Sequence, residues 1–214
     1  MAEAVARLIL ARHGQSAANA DDVFTGWSNP PLTPFGREEA RGMAHKLLDA
    51  HLRPDRVFCS PLDRCTETVS ILAQELAIGN VPVVKDARLN ERDYGLLTGQ
   101  RKGEIAQIYG VDQVRRWRRS YAEAPPLGES LRDTAARMLR AYVETVLPAA
   151  MAGGTTLIVS SGNALRSLVM TLDGLDESEI EGFDISTGAM ILYELGSTTA
   201  VLGRSILQNR MDPE

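Results

Sequence analysis

Cysteine is scarce: two thiols, Cys59 and Cys65, in 214 residues. They lie in FCSPLDRC without the paired spacing of a metal knuckle, so neither a disulfide framework nor a thiolate metal site organises this chain, and packing is the default reading for both. Histidine is equally sparse, with only His13, His45 and His51. His45 and His51 fall in a helical stretch and His13 stands alone at a strand end, so no cluster of His, Cys and carboxylates suggests a metal. No apolar run approaches the ~20 residues that a membrane span requires, and MAEAVARLILARHG has no cationic region leading into a long apolar core. A cytoplasmic protein without a membrane partner is expected. Cationic excess is missing too: 23 Lys and Arg against 28 Asp and Glu leave a net charge of -5, which gives nucleic-acid binding no support. Any anion site must be a local gathering of arginine.

What is present reads as α/β. The runs RLILA (7–11), RVFCS (56–60), VPVV (81–84), TLIVS (156–160) and AMILYEL (189–195) alternate with longer helical patterns. That alternation predicts a mostly parallel sheet with helices on both faces. Thr33 followed by Pro34 predicts a helix start, with Thr33 as the cap. Ser130 and Asp133 predict a second long helix, whose apolar positions from Leu131 to Leu147 keep helical spacing until Pro148. No domain boundary or repeat interrupts the chain, so one domain over 1–214 is expected. Within it, residues 86–130 form a less regular excursion of the kind used as lids or binding loops.

In open α/β sheets, ligands gather beyond the carboxyl ends of the strands. Arg12 and His13 follow one strand, Ser60 to Arg64 a second, and Ser160 to Asn163 a third. If these strands are neighbours, the turns converge on helix N-termini suited to a phosphate. A neutral imidazole beside Arg12 and Arg64 could then attack phosphorus, with the arginines neutralising its oxygens. Taken singly, each residue has a plainer reading: His13 as a hydrogen-bonded structural histidine, Arg64 as a surface ion pair, RRWRR as a solvated helix face anchored by its Trp. GNALRS lacks the three-glycine spacing of a dinucleotide site.

Together the segments are more specific. RHGQSAAN, FTGWSNPPLTPFGREEA, SPLDRCTET, LNERDYGLLTG, WRRSY and SGNALRS, in this order over about residues 7 to 195, resemble the cofactor-dependent phosphoglycerate mutase branch of the histidine phosphatase superfamily. The resemblance implies that fold and an isomerase that passes a phosphoryl group through phosphohistidine, interconverting 3-phosphoglycerate and 2-phosphoglycerate. It implies 2,3-bisphosphoglycerate as phosphoryl primer, no metal, a small phosphorylated acid as substrate, and a homodimer or homotetramer. By position, His13 is the nucleophile and Glu91 the general acid/base. Arg12 and Arg64 clamp the phosphoryl group, helped by Ser16, Asn19 and the backbone around Gly162 and Asn163. Thr25, Gly26, Arg92, Tyr94, Lys102, Arg118 and Arg119 match the residues that hold the carboxylate and second phosphate. A mutase must retain a doubly phosphorylated intermediate, so Lys102, Arg118 and Arg119 are a cationic surplus that a simple phosphatase does not need.

The chain departs from the family pattern twice. AEAPPLGE, between Tyr121 and Ser130, is short where longer members carry an insertion, which implies a smaller lid. At 161–163 the family's His-Gly-Asn is Ser161-Gly162-Asn163. Losing that charge-assisted donor is expected to weaken the chemical step by about 10²–10³, leaving an impaired enzyme. Three origins fit Ser161: an introduced change, a paralogue acting on a different phosphorylated acid, or a step toward a non-enzymatic binder. Retention of His13 and the whole outer set weighs against the last.

Overall fold

A computed structural model describes residues 5–207; the expected domain span of 1–214 runs beyond it at both ends. The chain begins with β1 (Ala6–Arg12), the short α1 (Ala17–Ala20), α2 (Pro34–Asp49), β2 (Arg56–Cys59), α3 (Asp63–Glu75) and the edge strand β3 (Val83–Lys85). Two 3₁₀ turns follow, and then α4 (Lys102–Tyr109), α5 (Val111–Arg119), α6 (Leu131–Ala141) and α7 (Leu147–Met151). The last part holds β4 (Gly154–Ser160), α8 (Gly162–Asp173), α9 (Glu177–Gly182), β5 (Met190–Leu195) and β6 (Val201–Ile206).

All six strands join one sheet in the order β3-β2-β4-β1-β5-β6. The first four are parallel, while β5 runs antiparallel to both β1 and β6. Strand alternation sorts the core into two layers. Leu8, Leu10, Phe58 and Ile158 pack with Met138 of α6 and Leu165 and Leu168 of α8. Ile9, Ala11, Val57 and Val159 pack on the other face with Met43 and Leu47 of α2 and Val69 and Leu72 of α3. Burial on both faces explains why β1 and β4 read as continuous apolar runs.

Thr33 caps α2 through a bond from the Gly36 amide, with Pro34 in the first turn, and Ser130 with Asp133 forms the capping box of α6. Two features differ from expectation. Pro148 does not stop the helix: after α6 the chain makes a π turn over Tyr142–Val146 and continues as α7. Proline is tolerated in a helix's first turn, where its missing N–H costs nothing, and the wide turn before it resets the ladder. The second is β6, whose VLGRSI sequence is mostly exposed, with no buried residue, and interrupted by Gly203. An edge strand of that kind carries no strong apolar alternation to read.

The 86–130 excursion builds a small core of its own, in which Tyr94, Leu97, Ile105, Val114 and Trp117 close over Phe24. Trp117 is therefore the buried anchor of a cationic helix.

Candidate active site

The register sets Arg12 beside Ser160 across β1 and β4, and Cys59 beside Val159 across β2 and β4. The three turns that follow these strands are thus neighbours. The turn after β1 is seated by glycine. A Cβ on Gly14 would lie 2.0 Å from the Gly36 carbonyl oxygen, and one on Gly36 would lie 2.1 Å from that of Gln15. Two glycines facing each other let His13 drop to the floor of the site, where it is 2 % exposed.

His13 is held in one tautomer. Its Nδ1 lies 2.6 Å from the Gly14 carbonyl oxygen, an atom that only accepts, so Nδ1 carries the proton and Nε2 keeps its lone pair. Nε2 accepts a bond from Arg64 Nε at 3.1 Å. Burial first, and then the charges of Arg64 and Arg12, push the imidazole well below its usual pKa despite the opposing Gly14 carbonyl. A histidine that stays neutral when folded but protonates when unfolded draws the protein toward unfolding in acid. Its stabilising contribution is complete above the unfolded pKa, near 6.5, and is lost as pH falls toward the folded value. We expect the wild type to lose up to about 1.4 kcal/mol per pH unit through this group below pH ~6.5. His13→Asn should lack that component, as chemical denaturation from pH 7.5 to 5 would show.

Arg64, itself buried, links the three turns. Its Nε also reaches Ser161 Oγ at 3.3 Å, while Nη1 and Nη2 donate to the carbonyls of Ser28 and Gly26 at 2.9 and 3.0 Å. Gly26 thus orients the arginine through its backbone. Burial is the main force lowering the Arg64 pKa. Ser161 is fully buried and precedes α8, yet its side chain makes no capping bond. The neighbouring Cys65 thiol is also buried, and burial pushes its pKa up to about 12.

Glu91 occupies the N-terminus of α8. Its Oε1 accepts from the amides of Arg92 and Asn163 at 2.7 and 3.2 Å. A carboxylate there suits the helix dipole, so one of the N–H groups expected to receive phosphate already has an anion. Arg137 holds the Glu91 segment: it donates to the carbonyls of Arg88, Asn90 and Glu91 at 2.7–2.9 Å and pairs with Glu129. Trp27 Nε1 adds a bond to the Glu91 carbonyl at 2.6 Å. Sequence reading missed Arg137 because its partners are backbone atoms distant in the chain.

Beside these residues opens a cleft. Arg12, Asn19, Thr25, Glu91 and Tyr94 line it, together with Lys102, Arg118, Arg119, Gly162 and Asn163. Arg12 Nε is buried without a partner, and its guanidinium lies against Gly162, where a Cβ would approach Cζ to 3.3 Å. Lys102 Nζ pairs with Asp22 at 2.5 Å, and Arg119 with Asp184 at 3.0 Å. His13, Ser16, Gly26, Arg64, Arg92 and Ser161 are not among the lining residues. Ser16 is spent on capping α1 with Asn19. Arg92 is buried, stacks on the Tyr94 ring and donates to Tyr94 Oη at 2.9 Å.

Two charged lining residues were not anticipated, Arg166 and Asp184. Arg166 stands three places after Asn163 on α8, on the same helical face, and donates to Asn163 Oδ1 at 2.8 Å. That spacing within GNALRS was the available signal. Burial, followed by the charges of Arg119 and Arg92, lowers its pKa to about 10. Asp184 lies in a loop with no local pattern. Among the described residues, no three of His, Cys, Asp and Glu gather where they could hold a metal ion, and no helix is long and apolar enough to cross a membrane.

Comparison with known proteins is consistent along the chain. Residues 8–205 match the histidine phosphatase superfamily (branch 1). A 2,3-bisphosphoglycerate-dependent phosphoglycerate mutase of Methylobacterium radiotolerans is 43% identical over 205 residues, spanning 96% of this chain and 97% of the relative. One from Chelativorans sp. is 44% identical over 201 residues, spanning 94% and 98%. Among solved structures, the alpha-ribazole phosphatase from Shigella flexneri superposes with TM-score 0.80 at 25% identity, covering 97% of this chain and 99% of that one. A mycobacterial glucosyl-3-phosphoglycerate phosphatase gives 0.79 at 22%, covering 94% and 97%, a likeness of fold.

Proposed function

Because this chain belongs to the histidine phosphatase superfamily (branch 1), we propose that it passes a phosphoryl group through His13 and interconverts 3-phosphoglycerate and 2-phosphoglycerate. The relatives are mutases and the structural neighbours phosphatases, so an enzyme of this superfamily is the common ground and the isomerisation is the finer reading. The observation that carries it is the Nε2 lone pair of His13, fixed by its Nδ1–H bond and buried beside Arg64, next to a cleft whose lining is rich in cations.

The cleft suits a ligand with two anionic ends. The Nε atoms of Arg12 and Arg166, both in the lining, are buried without partners, and a buried unpaired donor is costly unless an anion or water meets it. When bound, 2,3-bisphosphoglycerate supplies the phosphoryl group. Arg12 and Arg64 face its inner end, and Lys102, Arg118 and Arg119 the outer one. His13 Nε2 bonds to phosphorus as the ester P–O bond breaks, and Arg64 Nε shifts its hydrogen bond from Nε2 to a phosphoryl oxygen. In the return step the substrate's hydroxyl oxygen takes the phosphoryl group while Glu91 takes the hydroxyl proton, and Glu91 gives it back in reverse. Arg92 and Arg166 brace Tyr94 and Asn163.

Ser161 supports a second reading, a phosphatase or an enzyme for another phosphorylated acid. A product assay with 3-phosphoglycerate separates them: 2-phosphoglycerate formed only after priming with 2,3-bisphosphoglycerate supports the mutase, and phosphate release alone supports the phosphatase. The outer cations give a further test. Lys102→Ala, Arg118→Ala and Arg119→Ala should each weaken phosphoglycerate binding by about tenfold or more while changing inorganic phosphate binding little, as calorimetry would measure. Equal losses would favour a generic phosphatase. A cytoplasmic homodimer or homotetramer belongs to the same proposal, and sedimentation would report the assembly.

A further inference from the structure

Asp184 is a carboxylate on the wall of a cleft otherwise suited to anions. It lines the opening with Arg119 and Arg166, and its Oδ1 takes Arg119 Nη1 at 3.0 Å. Arg119 Nη1 also reaches the Phe183 carbonyl at 3.5 Å, so its donors are turned toward the 183–184 loop. Burial would raise the Asp184 pKa, but the Arg119 hydrogen bond and the charges of Arg119, Arg12 and Arg166 outweigh it and hold the carboxyl below its usual range. Its side chain is still 58 % exposed against 30 % for that of Arg119, so the pair can open without uncovering a buried charge. An ion pair this exposed is weak, which makes it displaceable.

We propose that Asp184 is an internal competitor for Arg119, a specificity-determining residue that a ligand's outer anionic group must displace. The inference rests on the reading that the cleft takes a two-ended phosphorylated acid, and it adds what sets the threshold for such ligands. A ligand anion reaching Arg119 must break the pair and then sit beside the displaced carboxylate, and both steps cost binding. Inorganic phosphate held between Arg12 and Arg64 needs neither. Asp184 therefore weakens only ligands that reach across the cleft.

The test is calorimetry with 3-phosphoglycerate and with inorganic phosphate on the wild type, Asp184→Asn, Arg119→Ala and the double variant. Asp184→Asn should bind 3-phosphoglycerate about three- to tenfold more tightly, the scale of one partly exposed ion pair and a relieved repulsion, with phosphate binding changed by less than about twofold. In the Arg119→Ala background that gain should shrink, because no ion pair is left to break and only the relieved repulsion remains. Asp184→Glu, which keeps the charge, should bind like the wild type. Unchanged or weaker 3-phosphoglycerate binding by Asp184→Asn overturns the inference. So does an equal gain for both anions, or one undiminished without Arg119, since either would mean a general field. If the wild type binds neither anion, the reading of the cleft falls as well; if it binds both and Asp184→Asn gains nothing, only the competition falls.

Discussion

Ser161→His is expected to raise the rate at which His13 is phosphorylated from 2,3-bisphosphoglycerate by about 10²–10³, the usual worth of one preorganised donor to a transition state. The proposed nucleophile is already prepared, with its tautomer set by the Gly14 carbonyl and its basicity held down by burial and by Arg64 and Arg12. Ser161 shares Arg64 Nε with His13, at 3.3 and 3.1 Å, so position 161 adjoins the atom that would receive the phosphoryl group. A hydroxyl there is neutral and short. An imidazole would reach further and, when protonated, add a charge-assisted bond to the transferring oxygens. Rapid-quench labelling of both proteins measures the effect. An unchanged labelling rate, together with efficient turnover of a different phosphorylated acid by the wild type, would mark Ser161 as an adaptation and sink the impaired-mutase reading.

His13→Ala should abolish phosphorylation and turnover in either background, a loss of about 10⁴–10⁶ typical of removing a nucleophile. Binding should survive. Arg64 remains held by the carbonyls of Gly26 and Ser28, and its Nε, freed from the imidazole, can face an anion. Calorimetry with inorganic phosphate should thus show affinity within about tenfold of the wild type. Labelling elsewhere on the chain in His13→Ala would move the nucleophile. If the wild type binds anions but His13 is never phosphorylated, the site is a binding module.

Much of the architecture was legible because local rules and tertiary demands agree. β1 and β4 carry apolar runs that only a sheet covered on both faces can use, and Thr33-Pro34 and Ser130-Asp133 are helix starts whose caps lie within four residues. Pro148 misled because a π turn, a longer-range adjustment of the helix ladder, removed the conflict. β6 was missed because a mostly exposed edge strand has little apolar pattern to show.

At the site, the chain's own order of residues determined the chemistry on offer: one histidine after a strand, arginines after two of the strands, and a serine, Ser161, after the third. Only the tertiary structure decided how those groups meet. Backbone carbonyls of Gly14, Gly26 and Ser28 choose the tautomer of His13 and the aim of Arg64, and every residue has a carbonyl, so no side-chain pattern marks them. Arg137 and Asp184 were silent for a related reason. A charge acquires its role from what folding brings within hydrogen-bond reach, and for these two the partners lie on segments distant in the chain: the carbonyls of residues 88–91 for one, and Arg119 for the other.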